Sequence, residues 1–306
     1  MRVGVLLLPT DPWPETVARV RRLEALGYDH LWTYDHLSWR RYRDQAWHAA
    51  VPWLTGVAAA TERVRIGTLV TSPNFRHPAT LAKEAMTLDH ISGGRLVLGI
   101  GAGGTGFDAT VLGGERLGPG ARAARLGEFV EVLDRLLRDG EASHDGPWFR
   151  VDGAQVLPGC VQRPRVPFAI AAGSAGTLAL TARFADSWVT YGDPEYRDTT
   201  AAGVEAAVRA QRALLEAACA DIGRDPAGID STYLIGNTDE RPLAGVGAFV
   251  DFAGRAAALG FTDLVFHHPR PGDPVWSEPE EIVERIAVEA LPQVRCGAGA
   301  GPRPRP

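Results

Sequence analysis

The chain has 306 residues, of which 45% are hydrophobic and 23% charged, and its 32 Lys and Arg against 37 Asp and Glu give a net charge of −5. This balance is typical of a globular protein and disfavours a nucleic-acid-binding protein, whose basic surface has to neutralise phosphates. The apolar run at residues 3–8 ends too early for a signal peptide, and no later run reaches the length of a membrane span. Three cysteines in no paired pattern indicate neither a disulfide framework nor a zinc site. We therefore expect a cytoplasmic protein that contacts no membrane.

Short apolar runs alternate with amphipathic segments along the whole chain. The predicted strands cover residues 3–8, 30–34, 64–70, 95–101, 167–172, 187–191, 231–236 and 263–267. The predicted helices cover residues 15–26, 51–61, 78–91, 121–138, 176–185, 200–222, 245–259 and 279–291.

Eight strand–helix units with apolar strands favour an α/β fold of the closed (β/α)8 type, a TIM barrel with insertion segments. A doubly wound sheet is the alternative, which periodicity alone does not exclude. Residues 1–291 are expected to form one barrel domain, and residues 292–306 a disordered tail. Two connections are unusually long, residues 102–120 and 140–166. The first follows a strand and is a candidate lid, whereas the second begins on the opposite face, from which a hairpin could reach the top.

The second predicted strand ends at Asp35 and His36, with Trp39 three residues further on. The active site of a barrel lies at the carboxyl ends of its strands, where a histidine can move a proton near neutral pH. Position alone is equally consistent with a structural role, in which His36 only caps its own loop or forms hydrogen bonds within it. The pattern thus gives a candidate catalytic residue and an aromatic neighbour for a ligand.

A second candidate lies after the fifth strand, where Gly173, Ser174, Ala175, Gly176 and Thr177 lead into a helix. The free N–H groups and hydroxyls of such a helix start can hold a phosphate. Ordinary capping of the helix by Ser174 explains the same residues without a ligand.

Metal and NAD sites are both disfavoured. His267 and His268 end the eighth strand, but the first strand carries no His-x-His ligand pair, so no metal is expected. The glycines at 99–104 lie mid-chain, and no βαβ unit with a suitably placed acidic residue follows them.

Taken together, the motifs resemble one known family. The segments that carry the resemblance are Gly-Tyr-Asp-His-Leu-Trp at 27–32, Asp-His at 35–36, residues 67–73, Arg-His-Pro at 76–78, Ser-Gly-Gly-Arg at 92–95, Leu-Gly-Ile-Gly at 98–101 and Ala-Asp-Ser-Trp at 185–188. In this order they are similar to the bacterial luciferase-like superfamily of flavin- and deazaflavin-dependent oxidoreductases. The resemblance extends over nearly the whole chain and implies a barrel that is often a homodimer.

The resemblance also implies a cofactor site. Asp35 and His36 would face the reactive ring, with Trp39 shaping the catalytic pocket. Thr68, Leu69 and Val70 would back the ring at a bulge with a cis peptide at Leu69 or Val70. Gly101 and Ala102 would lie beside the cofactor, and the residues at 173–177 would hold its phosphate.

The cofactor is predicted to be the deazaflavin F420, with FMN as the alternative. In luciferase an arginine after the fourth strand holds the flavin phosphate, and Ala102 stands at the corresponding position. A His followed by Trp resembles the F420-dependent glucose-6-phosphate dehydrogenases, although the spacing from His36 to Trp39 is shorter by one. The acidic residue of those enzymes corresponds to Gly104, and no Glu ends the first strand, so glucose 6-phosphate is not the expected substrate.

Three functions follow from these patterns. The leading one is hydride transfer between F420 and a small organic substrate. The second is an FMN-dependent monooxygenase that uses O₂ and a partner reductase, and the third is a non-catalytic flavin-binding protein. Residues 107–117 and 192–199 are the expected places for substrate specificity.

Overall fold

The computed structural model describes residues 1–193, 195, 197–236 and 238–296, and over these residues it confirms the predicted barrel. Eight parallel strands close in the order β1-β10-β9-β8-β7-β4-β3-β2. Their bounds are Arg2–Leu6 (β1), His30–Thr33 (β2), Arg65–Thr68 (β3), Leu96–Ile100 (β4), Phe168–Ala171 (β7), Ser187–Thr190 (β8), Asp230–Leu234 (β9) and Asp263–His267 (β10). The first and last strands pair from Arg2 with Asp263 to Leu6 with His267, which excludes the doubly wound sheet.

The helices lie between the strands at nearly the predicted positions. Their bounds are Trp13–Ala25 (α1), Ala50–Ala60 (α2), Pro78–Ser92 (α3), Pro119–Asp139 (α4), Ala175–Phe184 (α5), Ala201–Asp221 (α6), Val246–Ala258 (α7), Glu281–Arg285 (α8) and Leu291–Cys296 (α9). A π-helical stretch, Ile286–Ala290, joins the last two. Leu291 and Val294 are buried, so the expectation of a disordered tail is wrong for residues 292–296, because these side chains pack into the core. Residues 297–306 of that tail lie outside the described residues.

A tryptophan fills the centre of the barrel. Trp32 points inward from β2 and is 3% exposed. A Cβ at Gly67 would lie 2.6 Å from the Trp32 ring, and one at Gly4 would lie 3.0 Å from its Nε1. These two strand glycines therefore make room for the indole, which forms a packed floor below the barrel mouth.

The long segment before β7 forms an antiparallel hairpin of β5 (Glu141–Asp145) and β6 (Arg150–Gln155). Phe149, between these strands, packs against Phe129 of α4 with the ring centroids 5.6 Å apart, and against His77 at the start of α3. The hairpin thus packs against α4, and Phe149 reaches the end of the barrel at which α3 begins. None of the described helices is long and apolar enough to span a membrane.

Candidate active site at the barrel mouth

His36 follows β2 at the carboxyl end of the barrel and is paired with a carboxylate. Its Nδ1 contacts Asp108, which is 6% exposed, and the second Asp108 oxygen accepts the backbone N–H of Leu37 at 3.0 Å. An ionised carboxylate only accepts hydrogen bonds, so Nδ1 carries the hydrogen of this contact. The other ring nitrogen, Nε2, is then the position at which His36 gains or gives up a proton. Its side chain is 32% exposed, which leaves it accessible from the mouth.

Aromatic rings surround His36. Trp39 lies nearly parallel to the imidazole, with the ring centroids 6.3 Å apart, and it also stacks on Tyr42. Trp47 donates from Nε1 to the His36 carbonyl at 2.8 Å, and Tyr34 contacts both His36 and Trp39. The predicted pair of His36 and Trp39 is therefore brought together within one aromatic wall.

Asp35 is buried behind this wall and has strong internal partners. Arg76 donates to both of its oxygens at 2.9 and 2.8 Å, and the Thr71 hydroxyl donates at 2.6 Å. This two-point contact ties the segment after β3 to the segment after β2. Asp35 therefore holds the mouth in place, and its predicted contact with a cofactor stays a prediction.

The segment after β3 has the predicted backbone feature. The peptide bond between Leu69 and Val70 is cis, which confirms that expectation. A Cβ at Gly101 would lie 2.6 Å from Cγ2 of Val70, so the two strand ends approach closely because residue 101 is glycine. The Thr68 hydroxyl is 1% exposed and donates to the Gly99 carbonyl at 2.8 Å, which joins β3 to β4.

The loop at 173–177 starts α5 beside the end of β4, because β4 and β7 are neighbours in the barrel. Ser174 and Thr177 form a reciprocal capping box, as the plain capping interpretation expects. Gly173 precedes it, and Ala175 and Gly176 are exposed in the first turn. Their backbone N–H groups point along the helix axis toward the mouth, so this loop fits a phosphate as well as a cap.

A second histidine lies across the mouth, at the end of β10. His267 is 4% exposed, and its Nε2 lies 3.0 Å from the Tyr34 hydroxyl. Its ring stacks on Trp276 at a centroid distance of 4.9 Å, and Arg270 donates toward Nδ1 at 3.4 Å. Burial, and then the positive charge of Arg270, lower the pKa of His267 to about 3. This ring is neutral at physiological pH.

Sequence reasoning missed Asp108. Gly104 occupies the place where an acidic residue was sought, and the carboxylate reaches His36 from four residues later in the same loop. The signal that could have found it is its position in the stretch 107–117, which the sequence indicates as a place for substrate contacts. The other such stretch, 192–199, lies partly outside the described residues, at 194 and 196.

The closed barrel, with acid–base and aromatic side chains gathered at the carboxyl ends of its strands, defines this protein as a (β/α)8-barrel enzyme. The sequence profile of the luciferase-like monooxygenase family matches residues 1–293. The chain therefore belongs to this family of flavin- or F420-dependent oxidoreductases, as the motifs predict.

Its relatives include proteins of unknown activity and F420 enzymes. An uncharacterized protein of Mycobacterium tuberculosis is 28% identical over 94% of this chain and 98% of its own length. The F420-dependent glucose-6-phosphate dehydrogenase of Amycolatopsis mediterranei is 34% identical over 55% of this chain and 50% of its own length.

Solved structures share the fold. An F420-dependent secondary alcohol dehydrogenase in complex with an F420-acetone adduct superposes with a TM-score of 0.80 at 18% identity, covering 96% of this chain and 99% of that one. A monooxygenase from Streptomyces bottropensis has a TM-score of 0.74 at 21% identity and covers 95% of this chain and 99% of its own.

Proposed function

We propose that this protein transfers a hydride between the deazaflavin F420 and a small organic substrate, with His36 as the group that exchanges the accompanying proton. The single observation that carries the proposal is the pairing of His36 with Asp108 at the mouth of a barrel whose family uses flavins or F420. F420-dependent relatives in sequence and in structure support the choice of cofactor.

The residues present fit such a cofactor. The glycine at 101 lets the ends of β3 and β4 approach closely, which leaves a backbone surface for a flat ring, and the first turn of α5 offers N–H groups to a phosphate. When bound, the deazaflavin supplies a carbon that accepts or donates a hydride. His36 and Trp39 would then line the same pocket as the ring.

The protein's own contribution is proton handling and positioning. Asp108 fixes the orientation of the imidazole through Nδ1, which leaves Nε2 directed to the substrate side. An alcohol loses a proton when it is oxidised to a carbonyl compound, and Nε2 of His36 would take up that proton. In the opposite direction the same atom would return it. Trp39, Trp47 and Tyr42 limit the access of water to this point.

The proposal is tested with oxidised F420 and a panel of small alcohols under nitrogen. We expect loss of the oxidised deazaflavin absorbance, with one carbonyl product formed for each F420 reduced. An absence of turnover on every substrate, together with tight F420 binding, would instead support a non-catalytic flavin-binding protein.

An FMN-dependent monooxygenase is the second candidate, and the family description favours it. It would need reduced flavin from a partner reductase and would consume O₂. An oxygen electrode separates the two functions, because stoichiometric O₂ uptake with FMN and a reductase is expected only of the monooxygenase.

We further propose that the protein is a cytoplasmic homodimer. A measurement of its molecular mass in solution tests the dimer.

A further inference from the structure

Two arginines near the start of α4 lack an acidic partner. Arg122 and Arg125 lie in the first two turns of this helix, at the mouth end of the barrel. In the part of the chain that the structure describes, neither forms an ion pair within 4.0 Å of a carboxylate. At the other end of the same helix, Arg138 pairs with Asp134 at 2.9 Å. The Arg122–Arg125 pair is therefore a concentration of uncompensated positive charge.

Hydrogen bonds hold Arg125 toward the barrel mouth. Its guanidinium donates to the side-chain oxygen of Asn74, whose Nδ2 donates to the Gly104 carbonyl at 3.0 Å. Gly103 has a φ of +74°, and a Cβ there would lie 2.6 Å from the Asn74 side chain. The segments after β3 and β4 are thus clamped against Arg125. Arg122, one turn earlier, donates to the Leu117 carbonyl at 3.4 Å.

The guanidinium of Arg125 is incompletely satisfied by its protein partners. Nε of Arg125 is buried and has no hydrogen-bond partner. Burial and then the nearby charge of Arg122 lower the pKa of Arg125. Such a guanidinium, with a second arginine one turn away, is stabilised by a ligand that brings negative charge and acceptor oxygens.

The start of the neighbouring helix, α5, differs from that of α4 in its capping and its charge. At α5, Ser174 and Thr177 cap each other, and the exposed first turn offers N–H groups without a cation. At α4, no side chain caps the first turn, and nothing lies within 4 Å of the position a Cβ would take at Gly118 or Gly120. The two helices pack side by side and start at the same end of the barrel.

We propose that the Arg122–Arg125 pair binds the acidic side chain of the cofactor, beyond the phosphate held at α5. This inference rests on the proposed function, since F420 carries a phosphodiester followed by glutamate carboxylates. One uncharged helix start suits a single phosphate, whereas a chain with several negative charges needs a second, cationic contact. The α4 site lies next to the first and supplies that contact.

The test compares three ligands on four proteins. The ligands are F420, its riboflavin-level precursor that lacks the phosphate and the glutamates, and inorganic pyrophosphate. The proteins are the native chain, Arg122→Gln, the double variant Arg122→Gln with Arg125→Gln, and the control Arg63→Gln, which removes an exposed charge before β3 at the opposite end of the barrel. Binding is followed by deazaflavin fluorescence and, for pyrophosphate, by calorimetry.

We expect the double variant to bind F420 about 10- to 100-fold more weakly, with an intermediate loss for Arg122→Gln. Its affinity for the precursor stays unchanged, and its pyrophosphate binding disappears. Added salt weakens F420 binding less in the double variant than in the native chain. Arg63→Gln behaves as the native chain does.

Two results would overturn the assignment: equal F420 affinity in the native chain and the double variant, or equal losses for F420 and the precursor. Failure of the proposed function gives a different pattern. In that case the native chain binds neither deazaflavin, while pyrophosphate binding that depends on both arginines still marks an anion site.

Discussion

The two histidines at the mouth, His36 and His267, lie at the same end of the barrel but in opposite electrostatic surroundings. His36 is one-third exposed and contacts the Asp108 carboxylate. His267 is buried and faces the guanidinium of Arg270. Burial, and then the charge of Arg270, oppose protonation of His267, whereas the Asp108 carboxylate accepts a hydrogen from the His36 ring.

This difference favours a catalytic role for His36 and a structural role for His267. The His36 side chain is accessible from the mouth, as the proposed proton exchange with substrate requires. His267 stays neutral, and because Arg270 can only donate, Nδ1 accepts and Nε2 carries the hydrogen toward the Tyr34 oxygen. His267 is therefore a positioning residue that holds the Tyr34 ring against His36 and Trp39.

The largest expected effect is that of His36→Ala. We expect turnover to fall by about 10²- to 10⁴-fold, because the proton-exchanging group is removed, with F420 affinity nearly unchanged. Steady-state kinetics and a fluorescence titration measure the two quantities. His48→Ala, an exposed histidine in the same loop, is the matched control. Native turnover in His36→Ala would remove the assignment of this residue.

Asp108→Asn tests the contact between His36 and Asp108. It keeps the size of the side chain but removes its charge, so we expect a drop in kcat of about 10- to 10²-fold, because the contact that orients the imidazole is weakened. Glu115→Gln removes an exposed charge from the same loop and serves as the control. An unchanged kcat in Asp108→Asn would contradict the coupling of these two residues.

His267→Gln tests, through the stability of the fold, whether His267 stays neutral. The unfolded chain protonates this histidine below its usual pKa of 6.5, whereas the folded protein does so only near 3, so the stabilising contribution is lost as pH falls from 6.5 toward 3. Between pH 6.5 and 5 the native chain should lose about 2 kcal/mol more of its free energy of unfolding than the variant. Urea titrations at both pH values measure this, with His48→Gln as control. Equal losses in the native chain and His267→Gln would show that His267 does not stay neutral.

Tyr34→Phe is expected to have the smallest effect. It removes the partner of the buried Nε2–H of His267, at a cost of about 1 kcal/mol in stability. Thermal unfolding at constant pH measures it, and Tyr28→Phe, which removes a buried hydroxyl bonded to the Val283 carbonyl, gives a reference for the loss of a different buried hydrogen bond. A loss of turnover as large as that of His36→Ala, without loss of stability, would move Tyr34 into the chemistry.

The barrel itself could be predicted from the sequence, because local hydrophobic periodicity and helix-ending glycines indicate each strand and helix. His36 and Trp39 could be placed at the mouth for the same reason, since the end of β2 fixes them. The hairpin at β5 and β6 could not be placed, because its position depends on packing against α4, which lies elsewhere in the sequence.

Contacts between side chains of distant loops could not be predicted from the sequence. Asp108 and His36 are 72 positions apart, and their contact depends on how the loop after β4 folds back. The engagement of Asp35 by Arg76 likewise depends on two separate loops meeting. Local patterns contain no information on such contacts, and charge pairs in particular have no period to detect.

The most direct test of the account is a parallel titration of the purified protein with oxidised F420 and FMN, followed by fluorescence and absorbance. We expect F420 to bind at least about tenfold more tightly than FMN, a difference that one or two additional charge-assisted contacts would supply. Tighter binding of FMN than of F420 would contradict it and favour the oxygen-using alternative.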